Sequence, residues 1–249
     1  MNLEGKTVLV TGGTKGIGAA TALAFARRGA NVSISGRNDD ADAREVLAAI
    51  KALGRRGEIV LGDLAKPTDA IRTVNETADR LGPVDVLFHN AGSRASGGLL
   101  EISPEQWHAA FALHVHATFY LCRAVVPAMR LRGEGSIVLM SSVAGIRSLP
   151  SNVAYQVVKG AIPQFARALA REFASDRIRV NAIAPGVVRT RFHDDMTEQQ
   201  RQINLEQRIP LGCEGQPDQI ATAVVELATN DYITGETLVV DGGLTMRIA

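Results

Sequence analysis

The feature that most constrains this chain is a cluster of glycines between a β-branched run and an alanine-rich one. Lys6 to Thr11 (KTVLVT) reads as a buried strand, because β-branched residues dominate it and glycines follow. Ile17 to Arg28 (IGAATALAFARR) reads as a helix, rich in Ala and Leu and ending before Gly29. Between them lies Thr11-Gly12-Gly13-Thr14-Lys15-Gly16-Ile17-Gly18. In that position the glycines have distinct uses: Gly12 permits a tight turn, Gly16 a close phosphate approach, and Gly18 close packing of helix on sheet. The helix start offers N–H groups and the positive end of its dipole to a pyrophosphate. A strand–glycine turn–helix of this kind points to a dinucleotide site.

The same alternation continues along the chain. Strands are expected at Asn31 to Ser35, Glu58 to Leu61, Val84 to His89, Ser136 to Ser141, Arg179 to Ala184 and Thr237 to Val240. Helices are expected at about Asp40 to Leu53, Thr68 to Leu81, Pro104 to Arg132, Ser151 to Ala174 and Asp218 to Ala228. Ser103 and Pro104 form an N-cap and first-turn pair for the longest of these. Strands alternating with helices imply α/β architecture, a parallel sheet with helices on both faces. With no long linker or repeat, residues 1–249 are read as a single domain.

With 27 Lys and Arg against 26 Asp and Glu, the formal charge is +1, which argues against nucleic acid or an anionic membrane as the main partner. The longest apolar stretch, Ala109 to Met129, carries His114, His116 and Arg123, which are costly at a bilayer centre, so a buried helix is the expected reading. No targeting signal is read at Met1, and the tail Met246-Arg247-Ile248-Ala249 matches no lipidation or retrieval signal. Cys122 and Cys213 form no zinc spacing or disulfide framework and suit a reducing cytoplasm.

The glycine spacing is Gly-x-x-x-Gly-x-Gly. It is followed in order by Asp63-Leu64, Asn90-Ala91-Gly92, Ser142, Tyr155-x-x-x-Lys159, Asn181, Pro185-Gly186 and Val240-Asp241-Gly242-Gly243. With these motifs, the chain resembles the short-chain dehydrogenase/reductase family over nearly its whole length. Within it, the chain looks most like the 3-oxoacyl-carrier-protein reductases and the bacterial carbonyl reductases near them. The resemblance implies a Rossmann-like, doubly wound, seven-stranded parallel sheet, a nicotinamide cofactor, a small carbonyl or alcohol substrate and a homotetramer.

The expected cofactor contacts begin with Gly12, Thr14, Lys15, Gly16, Ile17 and Gly18. The second strand ends Ser35-Gly36-Arg37-Asn38, without the acidic residue that binds ribose hydroxyls in NAD-preferring relatives. Arg37 would instead attract a 2′-phosphate, with Lys15 as a second cation and Asn38 beside it, so NADP(H) is expected over NAD(H). Asp39 and Asp40 stand against that choice, since either could reach the ribose. By resemblance, Asp63 holds the adenine amino group, Leu64 packs on the ring, and Asn90, Ala91 and Gly92 let the backbone pass close by. Pro185, Gly186, Val188 and Thr190 would hold the carboxamide end. The polar segment 190–212 would then be a lid over the substrate.

Tyr155 and Lys159 are four apart on an expected helix and share a face. The resemblance makes Tyr155 the acid/base, with an ammonium and an oxidised nicotinamide lowering its pKa. Lys159 tunes it and holds the ribose, and Ser142 hydrogen-bonds the substrate oxygen. Ser141 is the rival to Ser142; the family's spacing falls on Ser142. Two positions depart from the pattern. His114 stands where an asparagine usually completes the catalytic set and anchors a water relay; near Lys159 its pKa should fall, leaving it neutral at neutral pH and charged in acid. Pro163 lies inside the helix of Tyr155 and Lys159 and removes an N–H from it. His108 and His116 do not converge with His114 on a metal site. The leading expectation is a hydride transfer between NADP(H) and a ketone, aldehyde or secondary alcohol. The alternatives are an NAD(H)-dependent alcohol dehydrogenase of the same family and a cofactor-binding regulator weakened by His114.

Overall fold

The computed structural model describes residues 1–246; the last three positions of the tail read above lie outside the described residues. The apolar runs form β1 (Thr7–Thr11), β2 (Asn31–Gly36), β3 (Gly57–Leu61), β4 (Val86–His89), β5 (Gly135–Met140), β6 (Ile178–Pro185) and β7 (Thr237–Val240). They pair in parallel in the order β3-β2-β1-β4-β5-β6-β7. The order reverses between β1 and β4, and the crevice beyond their carboxyl ends is where sheets of this kind bind ligands.

The helices between strands are α1 (Gly16–Arg27), α2 (Ala41–Ala52), α3 (Pro67–Leu81), α4 (Pro104–Phe111), α5 (Ala117–Arg132), α6 (Val153–Phe173), α7 (Glu198–Ile203) and α8 (Pro217–Thr229). Side-chain alternation sorts them onto two faces. Val8, Val10, Val86 and Phe88 point to the core shared by Phe25 of α1, Ile50 of α2 and Val224 of α8. Leu9, Leu87, Ile137 and Leu139 point to the core shared by Val74 of α3, Leu121 of α5 and Ile162 of α6. Burial on both faces is why the strands read as continuous apolar runs.

Three local features refine the expected elements. The long helix from Pro104 to Arg132 starts as expected, with Ser103 accepting from the Gln106 amide at 3.3 Å, but Ala112–His116 forms a π turn in its middle. It is long and apolar enough to cross a membrane by length and composition alone; here Leu121, Val125 and Met129 are packed into the second core. The polar segment 190–212 is largely helical, with a short 3₁₀ turn at Arg191–His193 and α7 opened by a Thr197–Gln200 capping box. The third feature is α6, which runs unbroken through Pro163. Proline leaves the carbonyl four residues back without its helical donor. That carbonyl belongs to Lys159, and the Ser141 hydroxyl donates to it at 2.8 Å.

Close contact between α1 and the turn before it fixes the site's entrance. A Cβ on Gly18 would lie 2.1 Å from the Gly12 carbonyl oxygen, a backbone atom that cannot rotate away. Helix propensity favours Ala over Gly by about 1 kcal/mol, and overpacking costs typically about 1–3 kcal/mol. Gly18→Ala is therefore expected to lower the urea unfolding midpoint. A midpoint at or above the wild-type value would show that the turn and helix are free to separate.

Candidate active site

A cleft of about 1210 Å³ opens at the carboxyl ends of the strands and is lined by the glycine turn, the ends of β2 to β6 and the segment after β6. At its floor lies the start of α1. Lys15 is the N-cap residue with extended backbone, no side chain caps the helix, and its first turn has no acid. The opening N–H groups are thus left without a side-chain acceptor, facing the cleft. Gly12 and Gly16 have φ of 61° and 55°, the left-handed conformation that glycine adopts most readily. The Asn90 side chain donates to the Thr11 and Gly12 carbonyls at 3.2 and 3.0 Å, fastening the turn to the end of β4. Thr190 leans over the turn from the other side, with its Cγ2 3.2 Å from where a Gly16 Cβ would be. An uncapped helix start framed by small residues fits the pyrophosphate of a dinucleotide.

At the end of β2, a Cβ on Gly36 would already lie 2.8 Å from Thr14 Cγ2, so the position has little room for a carboxylate side chain. Arg37 lines the cleft, is exposed, and has no carboxylate partner among the described residues. The acids nearby are engaged. Asp39 pairs with Arg44 at 3.0 Å, and Asp40 caps α2 by accepting from the Ala43 amide at 3.0 Å. Lys15 is itself paired, with Asp40 at 3.8 Å and Asp42 at 3.4 Å, and Arg191 also meets Asp42 at 2.6 Å. Asn38, Ile17, Asp63 and Leu64 line the same part of the cleft. Asp63 does not cap α3, whose N-cap is Lys66; its carboxylate accepts from the Ala65 amide at 3.2 Å. Pro185, Gly186 and Val188 line the wall after β6, where the Val188 carbonyl lies 3.1 Å from His193 Nδ1.

The four residues expected to react meet in the middle of the cleft. Ser142 follows β5; its Oγ accepts from the Ala144 amide at 3.2 Å and partners the Tyr155 phenol. Lys159 is buried one turn further along α6, with Nζ donating to the Met140 carbonyl at 2.8 Å and 5.8 Å from the Tyr155 ring centre. Burial pushes the Lys159 pKa down to about 7. Burial raises the Tyr155 phenol above its ordinary value, with Ser142 and the Arg94 charge pulling the other way. This differs from the expected lowering by an ammonium. Lys159 Nζ is bonded to the Met140 carbonyl and lies 5.8 Å from the ring centre, so the phenol's own burial outweighs it.

His114 sits in the π turn, buried, with its ring edge-on to Tyr155 at 6.0 Å between centres. Its Nε2 lies 3.0 Å from the Ser93 carbonyl oxygen, while its buried Nδ1 has no hydrogen-bond partner. Burial and then the Lys159 charge push its pKa to about 2. The direction is the expected one, but charging falls below any ordinary working pH. π turns of this kind recur at functional sites, and this one brings His114 to the cleft beside Tyr155.

A family sequence model described as Enoyl-(Acyl carrier protein) reductase matches residues 12–245. Glucose 1-dehydrogenase of Gluconobacter oxydans is 39% identical over 97% of this chain and 92% of its own. The chain belongs to the short-chain dehydrogenase/reductase family. It is an enzyme of that oxidoreductase family, and similar proteins include a 3-oxoacyl-acyl-carrier-protein reductase of Chlamydia trachomatis, 36% identical over 97% of this chain and 98% of that one. Among solved structures, L-sorbose reductase of Gluconobacter frateurii, complexed with NADPH and L-sorbose, superposes with a TM-score of 0.92 at 29% identity, covering 100% of this chain and 99% of that one.

The sequence reading missed one residue that lines this short-chain dehydrogenase/reductase cleft and one buried behind it. Phe192 lies 6.0 Å from Tyr155, ring centre to ring centre; as the one aromatic in the polar segment 190–212, it was a visible signal. His89, at the end of β4, bonds Thr11 Oγ1 through Nδ1 at 2.8 Å, leaves Nε2 unpartnered, and has a pKa pushed to about 3 by burial and then Lys159. A histidine in an apolar strand carries no sequence mark of its proximity to Lys159.

The depressed lysine makes stability depend on pH. The folded-state pKa is about 7 against an ordinary 10.5, so below about pH 7 both states are protonated and the full cost of burying the charge is present. Between the two values, only the unfolded state keeps the proton, and stability rises with pH by up to about 1.4 kcal/mol per pH unit. Lys159→Met should remove this rise. Urea unfolding of both proteins from pH 6 to 10 reads it; parallel curves would show that the ammonium is not buried.

Proposed function

We propose that the enzyme reduces a ketone or aldehyde with NADP(H), reversibly towards the alcohol. The observation that carries this reading is that Ser142, Tyr155 and a buried Lys159, held by the Met140 carbonyl, line the same cleft as the uncapped start of α1. A bound nicotinamide supplies a hydride to the carbonyl carbon. Tyr155 gives the phenol proton to the carbonyl oxygen, so that carbonyl, hydride and proton sum to the alcohol. Ser142 donates a hydrogen bond to the same oxygen and stabilises the charge that develops there. Lys159, with a pKa of about 7, returns a proton to the phenolate at little cost near neutrality. His114 stays neutral throughout, and its unpartnered Nδ1 extends the hydrogen-bonding chain behind Lys159 in place of the usual asparagine.

The preference for NADP(H) rests on Arg37. It is the cleft cation at the adenosine end left without an ion pair among the described residues, next to a Gly36 with no room for a competing acid. Asp39 and Asp40 are paired with Arg44, Lys15 and the start of α2, which supports NADP(H) over NAD(H). The segment 190–212 is proposed as the lid. A homotetramer is the proposed assembly, with Phe119 of α5 exposed by 44% as one apolar contact. The cytoplasm is the proposed compartment, where the free thiols Cys122 and Cys213 stay reduced.

Two experiments test these assignments. Tyr155→Phe should lose at least ~100-fold in kcat against a panel of carbonyls while still binding NADPH, since general acid–base groups contribute typically 10²–10⁴-fold. Wild-type turnover would remove Tyr155 from the chemistry. Arg37→Ala gives up a charge-assisted bond of about 1.5–3 kcal/mol to the 2′-phosphate. It should lower kcat/KM for NADPH tenfold or more and leave NADH nearly untouched; equal losses, or a wild type that prefers NADH, would overturn the assignment.

A further inference from the structure

The substrate half of the cleft is more cationic than a neutral carbonyl compound requires. Arg94, on the loop after β4, holds its guanidinium 5.1 Å from the Phe192 ring centre, and Phe192 stands 6.0 Å from Tyr155. Phe192 therefore neighbours both Tyr155 and Arg94. Arg208 enters the same space from the far end of the polar segment. Its Nη1 donates to the neutral Asn204 side chain at 2.8 Å, and it has no carboxylate partner among the described residues. Against these two guanidiniums, the substrate half offers one carboxylate, Asp195, which is paired with Arg94.

The Arg94–Asp195 pair is built to be exchanged. Asp195 is 73% exposed and Arg94 33%, so the pair gains little from its environment. Compare Arg189 with Glu214, where the carboxylate is only 2% exposed and shared with Arg201; breaking that pair would strand a buried charge. A substrate carboxylate seated on Arg94, against Phe192, has to displace only an Asp195 that is itself 73% exposed. Arg94 already meets one carboxylate, that of Asp195, and a planar guanidinium can bind such groups in a fork that a neutral ester cannot match.

We infer that Arg94 is the receptor for a carboxylate on the substrate, that Asp195 occupies it beforehand, and that the enzyme's substrates are oxo acids or the corresponding hydroxy acids. This rests on the reductase reading above. Phe192 is the apolar surface beside both the acid group at Arg94 and the carbonyl at Tyr155, and Arg208 adds to the positive field that draws an anion in.

The test uses straight-chain oxo acids, with the ketone placed from the α to the γ carbon, each paired with its methyl ester. kcat/KM with NADPH is measured for wild type, Arg94→Gln and Asp195→Asn. The wild type should favour acids over their esters. Arg94→Gln should shrink the acid-to-ester ratio of kcat/KM by about ten- to a hundredfold, the worth of a charge-assisted pair. Asp195→Asn should lower KM for the acid several-fold, because the competing carboxylate is gone. Equal use of acid and ester by the wild type, or an acid preference unchanged in Arg94→Gln, overturns the inference and leaves the reductase standing. No turnover of any acid, ester or neutral carbonyl overturns the reductase reading, and this inference with it.

Discussion

The structure turns on one buried ammonium. Lys159 has given up water for a single backbone carbonyl, that of Met140 at the end of β5, and its pKa of about 7 records what that costs. Such a group persists only if its surroundings hold it in place. The hold is tight at the backbone too, since a Cβ on Gly145 would lie 2.5 Å from the Lys159 carbonyl atoms. The loop after β5 therefore packs directly on the turn of α6 that carries the lysine. The same loop presents Ser142, so the position of the hydroxyl and the position of the ammonium are set by one contact.

Pro163 is part of that arrangement. By removing a helical donor it frees the Lys159 carbonyl, and Ser141 fills the vacancy. This divides the labour between two adjacent serines. Ser141 is buried and committed to the backbone, and Ser142 is left facing the phenol. A residue that seemed to threaten the helix instead explains why one of the two hydroxyls is unavailable for the cleft. Around the lysine, His89 and His114 are both held neutral by burial and by its charge, so the three bases behind the tyrosine do not compete as three cations.

Much of this was legible in the sequence because it depends on local rules. Strand and helix positions follow from buried runs and caps, and the glycine turn announces the helix start that faces the cleft. Tyr155, Lys159 and Ser142 are marked by order and spacing. What was hidden depends on contacts between distant segments. The π turn at Ala112–His116 has no composition of its own; it is a helical stretch with one residue more per turn, selected by what His114 must reach. The helix within 190–212 was obscured because a polar, partly exposed segment lacks the apolar stripe that marks core helices. Lys15 looked like a cation open to the cofactor, and only the fold reveals Asp42 beside it, shared with Arg191.

Gly92 and His114 form an exclusive pair. A Cβ at Gly92 would stand 2.6 Å from Cε1 of the buried His114 ring, which is already engaged by Ser93. The imidazole occupies the volume that a side chain at position 92 would need. A side chain at position 92 therefore requires the His114 ring to shift, whereas a shorter residue at 114 leaves the space open. The histidine thus couples the choice of residue at 92 to its own, although the backbone at Gly92 has no positive φ that would demand glycine.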